Sequence, residues 1–171
     1  MTRIVCLAAG LVVALATWAG SAAAQQWQEY KPVGAGYRVE MPGKPAVTER
    51  EQQTPAGTVK FSFARLAQGQ RGLLASHAVY QAGALPADPE QALDNARDGA
   101  TKGGKLGSEK RLKVDGAPAR RIVLENSGQV VNLLVVVKGN TLYQLLYHQP
   151  QGSEPTPDME RFLSSFALVK G

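Results

Sequence analysis

The residue types that most often do chemistry are sparse in this sequence. It contains two histidines, His77 and His148, and one cysteine, Cys6. A zinc site needs three or four ligands from His, Cys or carboxylate side chains, and no spacing here supplies such a set. Both histidines fall on predicted strands and are interpreted as structural side chains. The alternative is that the fold brings the two side chains together. The sequence therefore predicts no metal and no cofactor.

One segment matches most of a phosphate-binding motif. Residues 99–105 fit the first seven positions of a P-loop, but Leu106 stands where the magnesium-binding Ser or Thr belongs. A helix is predicted before this segment and a strand after it, which reverses the order that points a helix N-terminus at phosphate. Its glycines are therefore interpreted as a helix stop.

Nucleophilic and carboxylate catalysis also lack a motif. No serine lies in a Gly-x-Ser-x-Gly sequence, and Cys6 lies in a segment that is predicted to be removed. An acid pair assembled only by the fold stays open as a basis for hydrolysis. The leading interpretation is a non-enzymatic binding or accessory protein, and the alternative is a hydrolase whose site forms only in the tertiary fold.

The clearest charge asymmetry lies between Lys102 and Arg121. This segment carries seven basic and two acidic residues, a net charge of +5, whereas the rest of the mature chain carries −1. Its basic residues fall on a predicted hairpin and suggest a surface for an anionic envelope component, such as lipid head groups or acidic polymers. The alternative is a solvated hairpin face. Nucleic acid is not an expected partner, because no aromatic residues interleave the basic ones. The candidate surface residues are Lys110, Arg111, Lys113, Arg120 and Arg121.

The N-terminus has the pattern of a secretory signal peptide. Arg3 precedes an uncharged apolar run over residues 4–19, and small residues lead to Ala24, followed by the polar Gln25. We expect cleavage between Ala24 and Gln25 and export to the periplasm. The 16-residue run is shorter than the roughly 20 residues of a spanning helix, and an uncleaved membrane-tethered envelope factor is the alternative. Cys6 lies at the start of the run, so a lipoprotein is not expected.

Length and composition bound the rest of the chain. The sequence has 171 residues, of which 44% are hydrophobic and 19% charged, and this suits a signal peptide over residues 1–24 and a single domain over residues 25–171. The mature chain has no cysteine, so its hydrophobic core must stabilise it without disulfides. No further apolar run approaches spanning length, so no transmembrane segment is expected in the mature chain.

Alternating apolar and polar residues predict mostly strands. One helix is predicted to begin at the N-cap Asp88 and to end at Gly103, and a short second helix covers residues 158–163. The run over residues 130–137 is apolar on both faces, which is typical of a central strand. Together these elements predict an α+β fold, a single mostly antiparallel sheet flanked by a few helices. The predicted strands cover residues 27–30, 37–41, 46–53, 58–66, 73–81, 105–114, 119–125, 130–138, 141–148 and 167–169.

Several short segments resemble one group of proteins. They are Trp27 and residues 37–45, 116–120, 142–145 and 162–166. In order and spacing they are similar to the PsbP/Mog-like α/β/α sandwich family, which includes small exported bacterial envelope proteins. The resemblance implies that fold and a role as a binding or assembly accessory, and it offers no catalytic residue to carry over.

Overall fold

A computed structural model describes residues 26–54 and 57–169 of the chain. The predicted signal peptide lies outside the described residues. Ten strands and two helices fold as an α+β domain, the predicted class. In chain order they are β1 (Gln28–Tyr30), β2 (Tyr37–Met41), β3 (Ala46–Thr54), β4 (Gly57–Gln68), β5 (Arg71–Val79), α1 (Pro89–Thr101), β6 (Lys105–Val114), β7 (Ala117–Asn126), β8 (Gln129–Lys138), β9 (Thr141–Pro150), α2 (Pro157–Ser164) and β10 (Ala167–Leu168).

The main sheet has seven strands in the order β3-β4-β5-β9-β8-β7-β6. Every neighbouring pair is antiparallel. Short turns make this possible: Asp115 and Gly116 join β6 to β7 with φ values of 48° and 81°, a left-handed conformation that aspartate tolerates and glycine favours. The sheet therefore consists of two meanders that meet where β5 pairs with β9.

A second, three-stranded sheet corrects the expectation of a single sheet. β2 lies at its centre, between β1 and β10, and all pairings are antiparallel. Two of its strands are only two or three residues long, so sequence alternation cannot say which sheet they join. Together with α2, this sheet packs on one face of the main sheet.

The main sheet buries side chains on both of its faces. We call the face that carries α2 and the small sheet the α2 face, and the face that carries α1 the α1 face. Leu145 and Phe162 belong to the core of the α2 face, and Val135 and Leu93 to that of the α1 face. β8 lies between β9 and β7 with its centre buried on both sides, as its doubly apolar sequence predicts.

α1 begins at the cap that the sequence predicts, and α2 begins one residue before the predicted start. The Asp88 side chain accepts a hydrogen bond from the backbone N–H of Glu90 at 2.9 Å, and Pro89 follows as the first helical residue. Thr156 caps α2 by accepting from the N–H of Met159 at 3.3 Å. In the described part of the chain, no helix is both long and apolar enough to cross a membrane.

Candidate functional site

The helix α1 covers only part of its face of the main sheet. Its contacts with the sheet are mainly to β7 and β8. The strands beyond them, β9, β5, β4 and β3, carry half-buried apolar side chains and exposed arginines on this face. We call this region the open half of the α1 face. It is defined by Arg50, Phe61, Phe63, Arg65, Leu74 and Leu146.

The strand register aligns the open half with the part of the sheet under α1. One row of cross-strand neighbours runs through Arg50, Phe61, Ala78, Leu142 and Val137. A second, parallel row of cross-strand neighbours runs from β4 to β8 through Arg65, Leu74, Leu146 and Leu133. Apolar side chains therefore extend from beneath α1 to β4 or β5 in each row, and the polar Ser76 and Gln144 lie in the row between them.

Two phenylalanines and two arginines form a ridge along β3 and β4. The rings of Phe61 and Phe63 stack with centroids 5.9 Å apart and an interplanar angle of 8°. The Arg50 guanidinium lies 4.9 Å from the Phe63 centroid, and that of Arg65 lies 5.3 Å from the same centroid. These are cation–π distances. Arg50 also lies 5.6 Å from the Phe61 centroid, and both arginines are exposed to solvent.

A groove of about 520 Å³ lies between α1 and the strand floor. Its wall on α1 consists of small residues, including Ala92, Ala96 and Gly99, and its floor includes Leu142 and Leu146. The lining is mainly apolar, and Asn95 and Gln144 are its polar members. The groove and the ridge together bound a trough that is open to solvent.

The charge on the open half has a single sign. Side chains alternate between the two faces of a strand, so every second residue of β3, β4, β5 and β9 belongs to the α1 face. No Asp or Glu stands at these positions in the described strands, whereas Arg50 and Arg65 do. The surface is therefore apolar at its centre and positive along one side.

The structure corrects the placement of Arg120. Its side chain has no exposed surface and cannot contact a partner. Nη1 donates to Asp94 at 2.5 Å and to Glu109 at 2.6 Å, and Nη2 donates to Glu90 at 3.1 Å. Burial alone would lower the pKa of Arg120, but the hydrogen bonds to these three carboxylates raise it above its ordinary value. Arg120 joins β7 to α1 and β6 and is not part of an anion-binding surface.

The other four basic candidates do not share one face. Arg121 lies opposite Lys110 in the register, and its Nη2 donates to Glu160 of α2 at 2.9 Å. Lys110, Arg111 and Lys113 are exposed on β6, but Lys110 lies on one side of the strand and Arg111 and Lys113 lie on the other. The hairpin brings all five residues to one end of the sheet but does not form a single contact surface.

The two histidines lie on opposite faces of the main sheet and do not meet. His77 belongs to the α2 face, where its ring centroid lies 5.6 Å from that of Tyr37. His148 lies on the α1 face across from Gly72, and a Cβ at residue 72 would overlap its Nε2. Among the described residues no group of three or more His, Cys, Asp or Glu side chains is arranged to hold a metal ion.

One row of residues has the types used in hydrolysis. Glu49, Ser62 and His77 are direct cross-strand neighbours on β3, β4 and β5, beside a groove of about 400 Å³. Ser62 stands between the other two, so His77 does not bridge serine and carboxylate as a catalytic triad requires. In the described part of the chain no hydrogen bond joins Ser62 to His77, and Nδ1 of His77 is buried without a partner. The row gives no positive argument for a hydrolase.

The segment that resembles a P-loop lies in the context expected of a helix stop. Gly99 and Thr101 belong to the last turn of α1, Lys102 is its C-cap, and Lys105 begins β6. The helix N-terminus that a phosphate would need lies at the other end of α1.

Comparison with known proteins supports the fold. No family model matches the chain, and no curated protein matches it. It is similar to the solution structure of cyanobacterial PsbP (CyanoP) from Synechocystis sp. PCC 6803, with a TM-score of 0.52, 14% identity, and coverage of 88% of this chain and 96% of that one. A protein of unknown function from Pseudomonas aeruginosa, described as a putative regulator, matches with a TM-score of 0.38, 13% identity, and coverage of 77% and 98%.

The fold defines the class of protein. The main sheet with α1 on one face and α2 on the other is a PsbP-like α+β sandwich, as the sequence resemblance predicted. At 14% identity the likeness extends to the fold alone, because one fold can host many functions.

Proposed function

We propose that this protein is a non-enzymatic binding or accessory protein of the periplasm, exported by residues 1–24 and acting through the open half of the α1 face. The observation that carries the proposal is the trough between α1 and the Phe61–Phe63 ridge. Half-buried aromatic and aliphatic side chains line it, and a concave surface with an apolar lining is the usual form of a binding site.

A protein of the cell envelope is the better supported kind of partner. An anionic envelope component would bind the basic hairpin. Arg120 of that hairpin is buried, and Arg121 forms an ion pair with Glu160. The open half offers instead an apolar centre with aromatic and arginine side chains at its border. Tyr, Trp, Phe and Arg are the residue types enriched at protein–protein interfaces.

Site-specific photocross-linking in the natural host tests this function. A photoreactive residue at position 74 lies in the open half, and one at position 106 occupies the site of Leu106, which is 40% exposed on the edge strand β6. We expect an adduct of discrete mass from position 74 and none from position 106. The adduct should disappear when Leu146→Asp is introduced beside Leu74. Equal labelling at both positions, or no adduct from either, would contradict the proposal.

A further inference from the structure

We infer that the open half binds an amphipathic helix of a partner protein, with its apolar side on β5 and β9 and acidic residues opposite Arg50 and Arg65. The inference rests on the proposed binding function and names the chemistry of the partner.

The trough has the width of a helix. α1 lies over β7 and β8, and strands are spaced by about 4.8 Å. Two helices on one sheet pack with their axes about 8–10 Å apart, so a second helix beside α1 would lie over β9 and β5. The floor there holds Ser76 and Ala78, whose small side chains are already buried, so such a helix would contact the half-buried Phe61, Leu74 and Leu146 around them.

The α1 wall permits close approach. Its groove-facing residues include Ala92, Ala96 and Gly99, and a Cβ added at Gly99 would meet no heavy atom within 4 Å. Small residues on one helix let a neighbouring helix pack near the short end of the usual distance range. The opposite wall is the Phe61–Phe63 stack, which gives the partner a flat aromatic surface.

The charges select an acidic helix. Arg50 and Arg65 stand on the side of the trough away from α1, and no carboxylate of β3, β4, β5 or β9 lies on this face to neutralise them. A helix with Asp or Glu along that flank would satisfy both guanidinium groups. A basic flank would place like charges together.

Three other occupants fit less well. Residues 1–27 contain no acidic residue, and they precede β1, which belongs to the small sheet on the α2 face. A second copy of this chain, packed through its own open half, would offer Arg50 and Arg65 no strand carboxylate on that surface. A lipid acyl chain is much narrower than a helix, which is about 10 Å across, and would leave most of the open trough wet.

A displayed peptide library tests the inference with the purified full-length protein. Each member is an 18-residue helix with leucines fixed at i, i+3, i+4 and i+7 spacing and with both flanks randomised. Selection on the wild-type protein should enrich Asp and Glu on one flank only. Selection on the Arg50→Glu/Arg65→Glu variant should enrich Lys and Arg on that flank.

Matched variants and mapping make the result specific. The Arg111→Glu/Lys113→Glu variant changes net charge by the same amount on exposed residues of β6 and should select the same acidic helices as the wild type. A selected acidic peptide should lose about tenfold in affinity for Arg50→Glu/Arg65→Glu and about twofold or less for the control. Its amide resonance shifts should fall on α1, β4, β5 and β9. Circular dichroism checks that each variant is folded.

Four outcomes overturn the inference: no enriched helix, flanks without charge bias, binders that map to another surface, or anionic phospholipid vesicles that displace the selected peptide. If any of these occurs while position 74 still gives a discrete adduct in cells, the binding function stands and the helical acidic partner is wrong. If the adduct is also missing, both proposals fail.

Discussion

Arg120 of β7 and Asp94 of α1 form a charged hydrogen bond of 2.5 Å between a fully buried guanidinium and a carboxylate that is 39% exposed. Nη1 of Arg120 also donates to Glu109 of β6, and Nη2 donates to Glu90 in the first turn of α1, whereas Nε is buried without a partner. A single side chain thereby connects three elements. This network ties α1 to β7 and β6, and apolar packing of Leu93 and Val135 joins α1 to β8.

Arg120→Met should lower the free energy of unfolding by about 2–4 kcal/mol. The substitution preserves much of the apolar volume but leaves Glu109, Asp94 and Glu90 with no buried cation among them. Urea denaturation measures the change. Arg111→Met is the control, since Arg111 is 70% exposed and lies 3.8 Å from Glu90, and it should change stability by less than about 0.5 kcal/mol. Similar effects in the two variants would contradict the burial of Arg120.

Acid should weaken the attachment of α1 through Asp94. Its hydrogen bond to Arg120, and then the nearby arginine charges, hold the pKa of Asp94 below its ordinary value of 3.8 against the opposing effect of desolvation. The unfolded chain therefore binds this proton first, and stability falls as pH drops below 3.8 toward the folded pKa. Asp94→Asn should be less stable at pH 7 and should show a shallower decline over that range. Chemical denaturation at a series of pH values measures both slopes.

The sequence predicted local structure well and tertiary placement poorly, for a physical reason. Residues Tyr37–Met41 and Pro89–Thr101 form the expected strand and helix because alternation, capping residues and proline position act over a few residues. The burial of Arg120 depends on carboxylates 11, 26 and 30 residues away. Alternation places Arg120 on a strand face but does not say that a helix covers that face.

The open half of the α1 face could not be predicted from the sequence either, because it depends on contacts between distant segments. Alternation along β4 places Phe61 and Phe63 on one strand face, where the structure has them, but an apolar strand face usually indicates core. Which half of the sheet α1 covers is decided by packing between distant segments. Arg50 and Arg65 are the sequence feature that could have indicated this surface. Once β3 and β4 are paired, their register places both cations beside Phe61 and Phe63.

The secreted protein should begin at Gln25. The small residues before this position fit a signal-peptidase site, and the apolar run is short for a membrane anchor. Mass spectrometry of the protein isolated from the periplasm gives the N-terminus directly. An envelope form that retains Met1 would support the tethered alternative, and a cytoplasmic form would contradict export.

Val135 and Leu145 test the two sides of the sheet separately. They lie on the adjacent strands β8 and β9, with exposures of 0% and 1%, and belong to the cores of the α1 face and the α2 face. Val135→Ala should cost about 1–3 kcal/mol and Leu145→Ala about 2–5 kcal/mol, through lost burial and a residual cavity. Val47→Ala, at a residue that is 49% exposed, is the control and should cost less than about 0.5 kcal/mol. Equal costs at all three sites would mean that the core is placed wrongly.

Stability should also respond to pH through His77. Burial lowers the pKa of His77 from its ordinary 6.5, and Glu49 opposes this in part. The unfolded state therefore takes up this proton at higher pH than the folded state. The contribution of neutral His77 is complete above pH 6.5 and is lost as pH falls through 6.5 toward the folded pKa.

His77→Gln isolates this effect, because glutamine keeps a polar side chain at the position and does not titrate. The free energy of unfolding of the wild type should decline between pH 7 and pH 5 more steeply than that of His77→Gln. Titration of the His77 ring by nuclear magnetic resonance should give a midpoint below 6.5 in the folded protein. A midpoint above 6.5 would mean that Glu49 outweighs burial, and the pH dependence would then have the opposite sign: protonation would stabilise the fold, and His77→Gln would remove that gain at pH 5.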